Sequence, residues 1–292
     1  MIVLMLRLLI APVIVLGVTL AQRRFGQAIG GLIVGLPLST LPLLWLVSLQ
    51  HGPAFTAAMA TTILAAGAAQ VVVIWLYARL AARTTPLRAI TVTVGAFFLA
   101  TAPLVAVRPS VMLTGALALG AFCVALQYWP RVAETSDDEG RYRLVLRMVV
   151  AATVTVAIAS LAGVVGPAMA GLLGALPVMS LTIGFMTHRE LGAGASTRFL
   201  EGVNKGTAAY VLSILVLTLL LRTTNDVAMP FVAAILVAVG VQVLAQLAAT
   251  NAGVATTLTS ARQRSRRLFE ILASTPHLLA APHGIASSPS RR

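Results

Sequence analysis

The sequence predicts an all-α polytopic membrane protein with nine transmembrane helices. They form two inverted-topology four-helix repeats joined by a linking helix, with the N-terminus outside and the C-terminus inside. Three observations carry this expectation. Hydrophobic residues make up 59% of the chain and charged residues only 10%, at a mean hydropathy of +0.95, whereas soluble domains carry about 25% charged residues. Arginines crowd into alternate loops. The stretch Gly26 to Leu41 also recurs, without gaps, as Gly166 to Leu181.

A span needs roughly 20 apolar residues. Nine such runs occur: 2–21, 28–49, 57–78, 89–107, 110–130, 144–164, 167–187, 197–221 and 229–249. The first is followed by further spans and lacks a basic leader, so it reads as a helix rather than a cleaved signal. Loops one, three, five and seven carry Arg23 and Arg24, then Arg79, Arg83 and Arg88, then Arg131, Arg141 and Arg143, then Arg189 and Arg198. The even loops hold only Arg108 and an Arg222 offset by Asp226. Basic residues favour the cytoplasmic side, which puts the odd loops and the C-terminus there. The net charge of +13 is thus a topology signal, and no aromatic-and-basic module for nucleic acid accompanies it.

Within the repeated stretch seven of sixteen positions are identical, among them Gly26/Gly166, Gly31/Gly171 and Pro37/Pro177. The same offset pairs Arg7 with Arg147 and Gly52 with Gly192. The chain divides into a first repeat over 1–107, a linking span and acidic connector over 108–143, a second repeat over 144–249, and a tail over 250–292. An odd linking span inverts the second repeat. The connector, with Asp137, Asp138 and Glu139, reads as a solvated loop, because no histidine or second acidic cluster joins it to make a metal site. In the tail, 261–273 suits a short basic helix on the inner leaflet, and the Pro- and Ser-rich remainder suits disorder. The one cysteine, Cys123, excludes an internal disulfide.

Pro37 and Pro177 fall near the middle of spans two and seven. A proline lacks the amide donor and clashes with the preceding turn, freeing carbonyls near Ile33 and Leu173. Each proline is read either as a kink or as the start of a second half-helix, whose amides and positive end suit an anion. Ser39, Thr40, Ser180 and Thr182 lie close enough in sequence to serve the freed groups. Paired interruptions in corresponding halves point to a transporter's binding site, although glycines 26, 30, 31 and 35 also suit simple close packing.

The second feature lies on span eight. Lys205 is the only lysine, and Glu201, Asn204 and Lys205 share one helical face. Only sixteen apolar residues follow, Gly206 to Leu221, about 24 Å of helix, so a core of about 30 Å draws Asn204 and Lys205 inside. The competing expectation is that Lys205 snorkels to the surface. Arg7 and Arg147, about five residues into equivalent spans, read as snorkelling. His188 reads first as a loop residue and, with Glu201, as a candidate for proton coupling. Gln70, Tyr210, Gln242 and Gln246 read as interhelical hydrogen-bonding groups.

The functional expectation is a secondary-active transporter for a small anionic or zwitterionic solute, ion- or proton-coupled, with substrate contacts at Pro37, Ser39, Thr40, Pro177, Ser180, Thr182, Asn204 and Lys205. A lipid flippase or a membrane enzyme acting on a lipid-linked anion is the rival, and a channel the third reading. Too few acids are present for a metal-dependent membrane enzyme, so no enzymatic activity, metal or cofactor is expected. The expected partners are the lipid bilayer and a small-molecule substrate, not nucleic acid, with a homodimer left open. Richness in arginine and alanine points to a bacterial cytoplasmic (inner) membrane.

Overall fold

The computed structural model describes residues 2–38, 40–107, 110–132, 146, 147, 149, 150, 153, 157, 176–224 and 226–247. The acidic connector, the first half of span seven and the basic tail lie outside these. The described residues are helical and contain no strand. In chain order they form α1 (Ile2–Phe25), α2 (Gln27–Gly35), α3 (Thr40–Ala81), α4 (Pro86–Val107), α5 (Val111–Gln127) and α6 (Val178–Thr223), then α7 (Ala228–Leu247). Among the described residues, five apolar stretches are long enough to cross a bilayer: Gln27–Leu49, Gly52–Ala81, Pro86–Leu104, Val178–Thr223 and Ala228–Leu247. α5 is apolar but shorter. Helices of this length and composition mark an integral membrane protein.

Local chemistry fixes the helix ends. Ser110 caps α5, its Oγ accepting from the Leu113 amide at 3.3 Å. Asp226 caps α7, accepting from the Ala228 and Met229 amides at 3.0 and 3.3 Å. Such caps satisfy amides that lack an intrahelical partner. Inside the helices, Thr19, Thr101, Thr207 and Thr218 return their hydroxyls to the carbonyl four residues back, which lets a polar side chain sit in an apolar bundle.

Two of the long elements are bent. α3 turns at Gly52 (φ 82°, ψ 170°), and α6 turns at Gly192 (φ 86°, ψ 177°). Gly26, between α1 and α2, adopts the same conformation at φ 89°, ψ 170°. This backbone region is essentially open to glycine alone. Gly52 and Gly192 are paired by the offset of the repeat, so equivalent positions make the same turn.

The core is laid down in clusters along the bundle. One gathers Leu41, Leu44, Ala57, Ala60, Leu64, Ile214, Leu217 and Phe231. A second gathers Val15, Val18, Ile74, Tyr77, Leu181, Phe199, Leu200 and Val203, and a small third one Ala66, Ala69, Val73 and Phe97. The long arms of α3 and α6 run through the two larger ones. Where α2 crosses α6, backbone meets backbone. A Cβ on Gly31 would strike the Phe199 carbonyl, one on Gly202 the Ala28 carbonyl, and one on Gly206 would lie 2.7 Å from the Leu32 carbonyl oxygen. Gly31-xxx-Gly35 on one helix thus faces Gly202-xxx-Gly206 on the other, the small-residue contact that lets membrane helices touch closely.

Candidate functional site

The second span is broken. α2 ends at Gly35 and α3 begins at Thr40, and the chain between them closes a tight turn on Pro37, with the Leu38 amide donating to the Leu36 carbonyl at 2.8 Å. The Ile33 carbonyl accepts from the Leu36 amide at 3.3 Å, and the Pro37 carbonyl accepts from the Leu41 amide at 3.1 Å. The same turn stands at Pro177. There the Val178 amide donates to the Leu176 carbonyl at 2.7 Å and the Leu181 amide to the Pro177 carbonyl at 2.9 Å. Pro177 has φ −75° and ψ 60°, the inverse γ-turn geometry that proline's fixed φ favours. A helical segment therefore follows each proline, from Thr40 and from Val178, and presents its positive end there.

The Pro37 break sits at the join of the two larger apolar clusters. Ile33 and Val34 before it pack on one, Leu41 and Leu44 after it belong to the other. On α6 the same join falls between Val203 and Tyr210. Gly35 abuts it, since a Cβ there would lie 2.8 Å from the Gly206 Cα. Two polar side chains mark this layer. Thr40 lies beside the buried Tyr210. Asn204 is fully buried, at 0% exposure, yet neither its Nδ2 nor its Oδ1 has a hydrogen-bond partner among the described residues. A buried amide without partners costs free energy.

Ser180 and Thr182 are buried on the α6 arm that follows Pro177. The two arms of α6 pack on each other beyond the Gly192 turn: a Cβ on Gly184 would contact Leu200 at 3.1 Å, and Ser196 Oγ donates to the Gly184 carbonyl at 2.9 Å. One helical turn further on each arm, that register sets Ser180 level with Asn204. Ser39 and Leu173 lie outside the described residues.

The Lys205 side chain is 49% exposed and pairs with Glu201 at 2.7 Å along the helix. Its charge is turned outward and locally compensated, away from the buried Asn204 beside it.

Arg147 does not snorkel; it is 1% exposed. Its Nε donates to Glu190 Oε2 at 2.9 Å, its Nη1 to Gln22 Oε1 at 2.8 Å and its Nη2 to Thr187 Oγ1 at 3.2 Å. His188 is likewise no loop residue. It is helical and buried, with Nδ1 3.4 Å from the Tyr77 hydroxyl. Beyond this cluster, Trp75 Nε1 and Arg79 reach the Tyr128 carbonyl at 3.0 and 3.2 Å, with the guanidinium 4.7 Å over the indole. That is an amphipathic anchor of the kind found at membrane–water interfaces.

Sequence reasoning missed Glu190, Gln22, Thr187 and Tyr77 as a group, and missed Gly202 and Gly206. The signals were present but faint: Arg147 standing 140 residues after Arg7, the offset that also separates Gly26 from Gly166, and one of only eight acids at the edge of an apolar run. No group of three or more His, Cys, Asp and Glu able to hold a metal occurs among the described residues. No protein-family model matches the chain, nor does any curated protein or solved structure.

Proposed function

We propose that this membrane protein is a secondary-active transporter that works by alternating access on a small anionic or zwitterionic solute, ion- or proton-coupled, in a bacterial cytoplasmic membrane. It is not an enzyme on this reading. The observation that carries the proposal is the duplicated interruption. Pro37 and Pro177 close the same turn, with amide-to-carbonyl bonds of 2.8 and 2.7 Å, and Gly52 and Gly192, paired by the same offset, make the same bend. Interrupted helices in corresponding halves are where transporters build their sites. Irregular backbone at membrane depth is tolerated where it is buried or lines a cavity.

Two further observations support the nine-span, inverted-repeat plan. Residues assigned to the odd-loop side bond to each other, Arg147 to Gln22, Thr187 and Glu190, and Tyr77 to His188. Residues assigned to the opposite side meet each other, Arg222 donating to Thr61 Oγ1 at 3.1 Å. The substrate contacts on this reading are Pro37 and Pro177 as half-helix starts, Thr40, Ser180 and Thr182 as hydroxyl donors, and Asn204 as the central amide. Because Glu201 already neutralises Lys205, a substrate carboxylate is met by the half-helix ends, while the carbonyls that close α2 suit an ammonium group. That pairing fits a zwitterion.

The test is solute accumulation in proteoliposomes, screened with radiolabelled carboxylates and amino acids at several pH values. Pro37→Ala combined with Pro177→Ala abolishes accumulation while the protein stays folded. Wild-type accumulation by the double variant rejects the broken-helix site. Movement of labelled lipid instead of solute favours a flippase, and currents that do not saturate favour a channel.

A further inference from the structure

We infer that Arg147 and Glu190, with Gln22 and Thr187, form a latch that closes one mouth of the pathway in the conformation described here. This rests on the transporter reading and adds the regulation of its site. The four groups join three separate chain segments: the end of α1, the helical residues around Arg147, and the α6 arm that leads to Gly192. Arg147 Nη2 and Glu190 Oε2 are 2.8 Å apart, at side-chain exposures of 1% and 11%. Burying such a pair is weak evidence for stability, because desolvation offsets the attraction, and its best-attested use is to specify one arrangement over another.

Two features single this pair out as a latch. First, the cluster is incompletely satisfied. Glu190 Oε1 and Gln22 Nε2 are buried with no hydrogen-bond partner among the described residues. A purely structural network gains by engaging every member, and a half-engaged one is costly. Here the spare acceptor and spare donor sit on opposite sides of the contact between α1 and α6, at the surface that must part if the mouth opens. Second, the ion pair has no counterpart in the other repeat. The positions that the offset pairs with Arg147, Thr187 and Glu190 carry Arg7, Val47 and Gln50, so the carboxylate is lost. An inverted repeat with an ionic contact in one half only puts that contact at one mouth only, and the two mouths then differ in what opens them.

Charge removal tests the latch without any knowledge of the solute. Ser180→Cys, at a buried position inward from Glu190 on the same arm, is made in a Cys123→Ala background. It is reacted with a membrane-impermeant maleimide applied to either face of oriented vesicles. The expected result is slow reaction from the face bearing Arg147 in the parent, and reaction at least about fivefold faster from that face in Glu190→Gln, the lower end of typical coupling between two states. Exchanging the charges, Arg147→Glu with Glu190→Arg, restores slow reaction. Gln22→Leu removes the neutral amide and leaves the ion pair, and it gives a smaller acceleration, which keeps the test usable where the charge variants do not fold. Unchanged reactivity in Glu190→Gln, in Gln22→Leu if that variant alone folds, or an equal rise from both faces, overturns the latch. Failure of the transporter reading shows elsewhere, as absence of solute accumulation by the unaltered protein.

Discussion

The contact between α2 and α6 makes the sharpest quantitative demand on this structure. Replacing Gly31 by alanine puts a methyl group against the Phe199 carbonyl, and its next neighbour, the Val203 amide nitrogen, would be 2.9 Å away. Replacing Gly202 does the reciprocal, against the Ala28 carbonyl with the Leu32 amide nitrogen at 2.9 Å. Both obstacles are backbone, so no rotamer change relieves them and the two helices must separate. Overpacking costs about 1–3 kcal/mol, and a rigid obstacle belongs at the upper end. Alanine meanwhile regains up to about 1 kcal/mol of helix propensity over glycine.

Gly17, Gly95 and Gly120 supply the reference, because a Cβ at each would meet nothing within 4 Å. Their alanine variants gain up to about 1 kcal/mol, a gain that cancels in the comparison, so G31A falls about 1–3 kcal/mol below G95A. The G31A/G202A double variant loses less than the sum of the singles, since one separation of the helices accommodates both methyl groups. Reversible unfolding of the purified protein in detergent micelles reads all of these. If G31A proves as stable as G95A, the two backbones are not in contact and the site built around Gly35 and Gly206 fails with them.

The other expectations are shorter. G52A and G192A each lose about 1–3 kcal/mol of stability. Asparagine, which tolerates left-handed helical backbone, gives no relief at Gly52, whose ψ of 170° lies outside that region. An unfolding series showing G52N near wild type would refute the assigned turn. Asn204→Leu stabilises the unliganded protein by about 1–3 kcal/mol, because it removes two buried, unpartnered polar atoms, while abolishing solute accumulation. A loss of stability in that variant would mean that the amide has a partner in the fold. These unfolding series, the proline pair assayed in proteoliposomes and the latch variants bear on different residues, so they fail independently.

Much of this architecture was legible along the chain, and the reason is local. An apolar run of sufficient length has to be helical in a bilayer, because its backbone polar groups have no other partners there. A proline cannot donate its missing amide wherever it sits. Gly52 and Gly192 could be paired by offset alone, and their shared turn follows from what a side-chain-free residue is permitted to adopt.

The charged residues were another matter. Lys205 and Arg147 both lie in largely apolar runs, and sequence distance from the nearest polar segment ranked the lysine deeper. In the folded protein the lysine faces outward beside Glu201, and the arginine is enclosed by Thr187, Glu190 and Gln22, the last of them far away in sequence. Sequence alone therefore determined that the described segments are helical and apolar enough to cross a membrane, properties of a segment and its own backbone. Only the tertiary structure decided which side chains are buried and what they touch, because desolvation depends on the segments that close over a residue.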